Sequence, residues 1–258
     1  QGARMLSHIL SWGRTLMSAG CCGAAAYAID KATEHTTQRT QFGRPLFALD
    51  VVKERLARLR ARHFAMEALV QATAKKEQDE ALAVSSLAAK VFCSEGAGWV
   101  ADEAVQLHGA LGFIEDTGLA LVLRDVRVTR IFEGANDVLL THLGTSELAR
   151  RAQEGPQHSI NELESALADF AQSLSSKYKL RVFRAPRLLH ALGVATEWVM
   201  ASRAATDRAH ESQSATHLAM ARLIEQEARV VVAQAAAVSA DDSLFHQVLG
   251  LERPGATS

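Results

Sequence analysis

Cysteine is scarce in this chain, and its placement argues against a disulfide framework. Only Cys21, Cys22 and Cys93 occur among 258 residues. Neighbouring cysteines seldom bond to each other, because disulfide geometry needs well-separated Cα atoms. A reducing compartment is the natural reading. Proline occurs four times and aromatic residues make up 5%, which disfavours a sheet-rich fold. No apolar run is long enough to span a bilayer. Neither sign of charge dominates, since 28 basic and 29 acidic residues leave a net −1, and nothing in that balance points to nucleic acid. His and Cys show no metal-ligand spacing, and neither G-x-S-x-G nor a P-loop is present. Gly96-Ala-Gly98 lies inside a helical stretch with no strand before it, so it is not a dinucleotide fingerprint.

What is present is an alanine-rich chain with 48% hydrophobic residues, ample for a core. Helical segments are expected at about 4–36, 49–74, 81–107, 119–128 and 136–150. Within the second, Val52, Leu56, Leu59, His63, Met66 and Val70 recur at three and four and define one apolar face. Residues 37–47 read as a connector around Pro45, 75–80 as a charged turn, and 108–118 as a glycine-containing loop. Gly13, Gly20 and Gly23 are expected to let another backbone approach the first helix. Four long helices with short connections predict an antiparallel bundle over 1–152. The stretch 153–158 reads as a boundary. Beyond it, 153–258 is expected to form a smaller, additional helical domain with helices at about 160–176, 187–209 and 215–239. Ser159 to Glu162 would be a capping box, and the last 15 or so residues a frayed end. The fold class is all-α.

The stretch from Arg124 to Leu140, RDVRVTRIFEGANDVLL, concentrates the chemistry. Glu133 stands between Phe132 and Gly134 at the mouth of a helix. Gly134 leaves the backbone open to a ligand. Asn136 and Asp137 are N-cap types, and a helix N-terminus suits an anion. Alone, Glu133 reads first as an exposed carboxylate complementing the helix dipole, and only the surrounding phrase turns it into a candidate base. Arg124 and Asp125 read as a structural charge pair.

Two further phrases accompany this one. Arg39-Thr-Gln-Phe-Gly43 follows the first helix, and Gln106-Leu-His-Gly-Ala-Leu-Gly-Phe113 ends the third. The three in this order resemble the C-terminal helical domain of the acyl-CoA dehydrogenases over residues 12 to 150. The added helical region after 151 looks like the very-long-chain branch, on architecture rather than motif. The family's N-terminal helical and middle β-barrel domains have no counterpart here. The chain, starting at Gln1 rather than Met, is expected to be a C-terminal fragment or truncated product, and targeting is left open.

The resemblance implies an FAD enzyme that oxidises an acyl-CoA thioester to a trans-2-enoyl-CoA. Glu133 would be the α-proton base. A free carboxylate is a weak base, and exclusion of water by an apolar ligand strengthens it. Phe132 and Gly134 would flank the thioester. Ala135, Asn136 and Asp137 would touch flavin, with Ala135 lacking the hydroxyl of the usual Thr, and Asn136 and Asp137 reading equally as plain caps. Arg39 would reach the flavin pyrophosphate of a neighbouring subunit, with a surface arginine as the alternative. Gln41 and Phe42 would line the adenine side. Gln106, Gly109 and Ala110 occupy the family's Q-x-x-G-G segment, where Ala110 replaces the second Gly and Gly109 could equally be a C-cap. His108 reads as lining the loop.

These cross-subunit contacts imply a homodimer or larger assembly, with an electron-transfer flavoprotein as acceptor, in the cytoplasm or mitochondrial matrix. Within enzymes, an acyl-CoA oxidase is the alternative. Outside them, it is a truncated homologue serving as an assembly or dimerisation partner. Lys177, Lys179, Arg181, Arg184 and Arg187 form a basic stretch. It reads either as solvated surface or as a peripheral contact with anionic lipid heads.

Overall fold

The computed structural model describes residues 2–77, 79–154 and 161–238. It is helical almost throughout. Helix α1 spans Gly2–Gln38, α2 Asp50–Ala74, α3 Asp79–His108, α4 Ala110–Phe113, α5 Leu119–Val128 and α6 Asn136–Glu154. The tail contributes α7 Glu162–Tyr178, α8 Pro186–Ser212 and α9 Ala215–Ala236. Strands β1 (Thr40–Gln41) and β2 (Arg44–Pro45) form a minimal antiparallel hairpin within the expected connector. Phe42 and Gly43, both at positive φ, make its turn. The expected loop 108–118 contains α4 and a 3-10 turn at Glu115–Thr117.

Local chemistry explains several boundaries. Asn161 caps α7, its Oδ1 accepting from the Glu164 N–H at 2.9 Å. The cap is therefore Asn161 rather than Ser159, which lies outside the described residues, as does the expected frayed end. Pro186 opens α8, where its missing N–H costs nothing, and Ser214 caps α9. Gly20 and Gly23 do not receive a neighbouring backbone. A Cβ at either would meet nothing within 4 Å, because that side of α1 faces solvent. Gly96 and Gly98 do clear space, for the Arg62 and Met66 side chains and for the Arg130 guanidinium respectively.

The apolar face predicted on α2 packs inward through Val52, Leu56, Leu59 and Met66. The largest core cluster joins these to Ile29 of α1, Phe92 and Val100 of α3, Leu119 of α5, Ala205 of α8 and Ile224 of α9. A second cluster links Leu148 of α6 to α7, α8 and α9. The sequence boundary near 153 is thus bridged by shared apolar packing. Among the described residues no helix is long and apolar enough to cross a membrane.

Where α2, α3 and α8 meet, the core holds a buried charge. The Arg62 guanidinium lies 3.7 Å from the Phe92 ring centre and 4.2 Å from that of Trp198. Glu197 is buried nearby, and its Oε2 finds no hydrogen-bond partner among the described residues. Burial pushes its carboxyl up to about 8, against the pull of Arg62 and with help from Glu95. The folded protein therefore keeps this proton up to about pH 8, whereas the unfolded chain releases it in the ordinary carboxyl range. Stability from this group falls as pH rises between those limits. Glu197→Gln is expected to remove that fall. Urea titrations should show the variant gaining about 2–5 kcal/mol on wild type between pH 5 and pH 8. Parallel pH profiles would refute the assignment.

Candidate active site

The turn joining α5 to α6 is set by its backbone. The N–H groups of Ile131 and Phe132 donate to the Val128 carbonyl, and that of Asn136 donates to the Arg130 carbonyl at 3.1 Å. Between them Glu133 has φ +56 and Gly134 φ +105. Glycine adopts such angles freely; a glutamate there stores about 1–3 kcal/mol of strain. The Ala135 carbonyl then accepts from Val138 and Leu139 and starts α6.

Side chains from two other helices hold this turn. Gly13 of α1 faces the Glu133 carboxylate, which a Cβ would approach to 3.1 Å. Arg14 Nε donates to the Glu133 carbonyl at 3.1 Å. Burial lowers the Arg14 pKa, partly offset by Glu133. From α3, Lys90 Nζ donates to the Gly134 carbonyl at 2.7 Å and to Asn136 Oδ1 at 2.6 Å. Asn136 Nδ2 donates to Ser94 Oγ at 3.0 Å and to Glu95 Oε1 at 2.7 Å. Arg130 Nε lies 3.1 Å from Glu95 Oε2, an ion pair, though its N–H finds no aligned acceptor. Burial pushes the Lys90 ammonium down to about 8. Arg14 acts in the same direction, and Cys21, Glu95 and Glu133 oppose.

Several expectations meet a different geometry. Asn136 is buried, and its amide is spent on α3 rather than on capping α6. Asp137 stays exposed, with Oδ1 3.4 Å from His190 Nε2 of α8. Arg124 pairs with Glu115 at 2.8 Å rather than with its neighbour Asp125. Phe132, Gly134 and Ala135 are exposed around Glu133. Arg14, Lys90, Glu95 and Arg130 are the functional candidates that motif reading missed. A lone lysine inside the apolar run Leu87–Cys93 was the available signal for Lys90.

The second group of predicted residues lies elsewhere. Arg39, Gln41 and Phe42 sit exposed on the hairpin after α1, and Gln106, Gly109 and Ala110 are exposed at the end of α3. The His35 and His108 rings stack at 4.3 Å and tie these two ends together. Gly13 and Gln38 are 25 residues apart on one helix, about 37 Å. Lys90 and His108 are 18 apart, about 27 Å. Within one chain, therefore, the Arg39 group and the Glu133 group occupy opposite ends of the α1–α3 pair. Gly109 has φ +61, and a Cβ there would meet nothing within 4 Å. Arg39 and Gln41 make no side-chain hydrogen bond or ion pair among the described residues. No cluster of His, Cys, Asp or Glu among the described residues could hold a metal.

Residues 1–148 match the family described as acyl-CoA dehydrogenase, C-terminal domain. The mouse mitochondrial very long-chain specific acyl-CoA dehydrogenase is 39% identical over 140 residues, 54% of this chain and 21% of that protein. Butyryl-CoA dehydrogenase from Megasphaera elsdenii superposes with TM-score 0.53 at 34% identity, covering 56% of this chain and 38% of its own. An FAD-complexed acyl-CoA dehydrogenase from Bacillus anthracis shares the fold over 97% of this chain, tail included, and 53% of its own, with TM-score 0.78 and 22% identity. The chain thus spans from about a fifth to about half of these relatives. By the match over its first 148 residues, the chain belongs to the acyl-CoA dehydrogenase family through that family's C-terminal domain.

Proposed function

We propose that this chain is the C-terminal helical part of an FAD-dependent acyl-CoA dehydrogenase acting on a long-chain thioester. In this reading Glu133 removes the α-proton as the trans-2-enoyl-CoA forms. The observation that carries it is the left-handed Glu133 turn, with its carboxylate set against Gly13 and its carbonyl held by Arg14. Strain retained at a carboxylate, on a motif shared with the family, is best explained by a positioning requirement.

The chemical roles divide as follows. The α-carbon would lose its proton to a Glu133 carboxylate oxygen, and the bonding pair, delocalised toward the thioester carbonyl, would become the Cα=Cβ bond as the β-carbon gives up hydride. Exposed Phe132 would cover the thioester and exclude water. When bound, the flavin supplies the hydride acceptor that no side chain can provide. Arg39 would bind its phosphates, with Gln41, Phe42 and the open backbone at Gly109 beside it. Because Arg39 lies about 37 Å along α1 from Glu133, these groups would serve a cofactor shared with a second copy. The same reading takes a homodimer or larger assembly as the working unit, with an electron-transfer flavoprotein as the acceptor.

The test is to incubate the purified chain with FAD, desalt it and add a long-chain acyl-CoA. A retained yellow band that bleaches supports the reading. A band that persists in the presence of substrate counts against Glu133 as an acting base.

The basic segment favours a lipid-facing surface. Leu180 is 83% exposed and Phe183 is also exposed, both lying among Lys177, Lys179, Arg181 and Arg184. Apolar side chains between cations suit anionic lipid heads. Sedimentation with phosphatidylserine vesicles is expected to fall with added salt and with Leu180→Ser. Salt-insensitive or absent sedimentation would sink this surface.

A further inference from the structure

Lys90 is among the largest fully buried side chains of the described residues, 1% exposed in α3. An ammonium in such a place costs several kcal/mol unless acceptors surround it. Its neighbours along the helix, Leu87, Ala88, Val91 and Phe92, are all apolar and buried. A leucine or methionine would fill the same volume without that cost. The lysine is therefore explained by what its ammonium reaches, and that is two acceptors on one turn. The Gly134 carbonyl lies at 2.7 Å and Asn136 Oδ1 at 2.6 Å, directly after Glu133.

These two bonds complete a set. The Arg130 carbonyl is held by the Asn136 N–H, the Glu133 carbonyl by Arg14, and the Gly134 carbonyl by Lys90. Asn136 passes the restraint on to Ser94 and Glu95, one helical turn further along α3. Glu133 and Gly134 are the two residues of the turn with positive φ, and an unrestrained glutamate would leave that region. The restraint must outweigh the stored strain of about 1–3 kcal/mol. Two hydrogen bonds from a charged donor, at about 1.5–3 kcal/mol each, are sufficient.

We propose that Lys90 is a positioning residue: its buried ammonium clamps Gly134 and Asn136, and so holds the Glu133 carboxylate over Gly13 before substrate arrives. This rests on the reading of Glu133 as the base. Lys90 touches neither the carboxylate nor, on this reading, the substrate. It acts through the backbone of the turn.

The test compares the intact chain with Lys90→Met and Lys90→Gln. Amide hydrogen exchange is followed in the turn peptide 129–139 and in the body of α3. Wild type should protect the Ile131, Phe132 and Asn136 amides. In the variants, exchange in 129–139 is expected to rise at least about tenfold, while α3 changes less than about twofold. With FAD and acyl-CoA, the limiting rate of single-turnover bleaching should fall about 10–100-fold at a nearly constant half-saturating acyl-CoA concentration, as for a misplaced but intact base. Unchanged exchange in the turn would overturn the proposal. So would failure of both variants to fold, because Lys90 would then organise the whole bundle rather than the turn. The two readings separate cleanly. If Glu133→Gln leaves bleaching unaltered, the base assignment fails, and the exchange measurement still decides whether Lys90 holds the turn.

Discussion

Glu133→Gln is expected to slow acyl-CoA-driven flavin bleaching by about 10²–10⁴-fold, the usual loss when a general base is removed. That is roughly 3–5 kcal/mol of barrier. Glutamine keeps the size and shape of the side chain. The contact at Gly13 and the backbone bonds from Arg14 and Lys90 survive the change, since both of those donors bind main-chain oxygens. Thermal stability should therefore stay within about 0.5 kcal/mol of wild type, the range of an exposed substitution. Stopped-flow bleaching and a thermal melt on the same preparations separate the two effects. A variant that bleaches at the wild-type rate removes Glu133 from the chemistry. A variant that loses both rate and fold would assign it a structural role.

Gly193→Ala is expected to be among the most damaging single methyl additions at the described glycines. Helices α6 and α8 cross where Gly144 and Gly193 face each other. A Cβ at Gly193 would overlap the Leu140 carbonyl oxygen, and one at Gly144 would overlap that of Leu189. Both obstacles are backbone, so no side chain can swing aside, and the helices must separate. Overpacking costs about 1–3 kcal/mol and more where the obstacle is rigid. Replacing glycine by alanine within a helix returns about 1 kcal/mol. The steric term wins, and a net loss of about 2 kcal/mol or more should lower Tm by about 4–8 °C. A rise in Tm would show that helix propensity dominates and that the crossing is looser than the backbone contacts imply. The same crossing bears on the site, because α6 begins at Asn136, directly after the Glu133 turn. Through it, the tail braces the helix that follows the candidate base.

Much of this molecule follows from local pattern. The apolar spacing of Val52, Leu56, Leu59 and Met66 specifies an amphipathic helix wherever it lies in the chain, and those residues are buried as expected. Pro186 at a helix start and the scarcity of strand formers act over a few residues, which is why the helical fold was legible. The phrase around Glu133 was legible for the same reason, since a motif is a string of neighbours. In the sequence Lys90 is no more than a cation in an apolar run. Its partners are 44 and 46 positions away, and no periodicity encodes such a pairing. Gly13, Gly20 and Gly23 look alike in sequence. Only the first meets the carboxylate, because the Glu133 turn packs beside that level of α1, whereas a Cβ at either of the other two would meet nothing within 4 Å. The separation of Arg39 from Glu133 was equally hidden, since three motifs in order carry no distances. By itself, the sequence determined the helices, their buried faces and the candidate base, which are short-range properties. Tertiary structure alone decided the Lys90 clamp, the glycine crossing of α6 and α8, and the split between the two ends of the α1–α3 pair. Each of these depends on which distant backbones are brought within bonding or contact distance, and packing sets that.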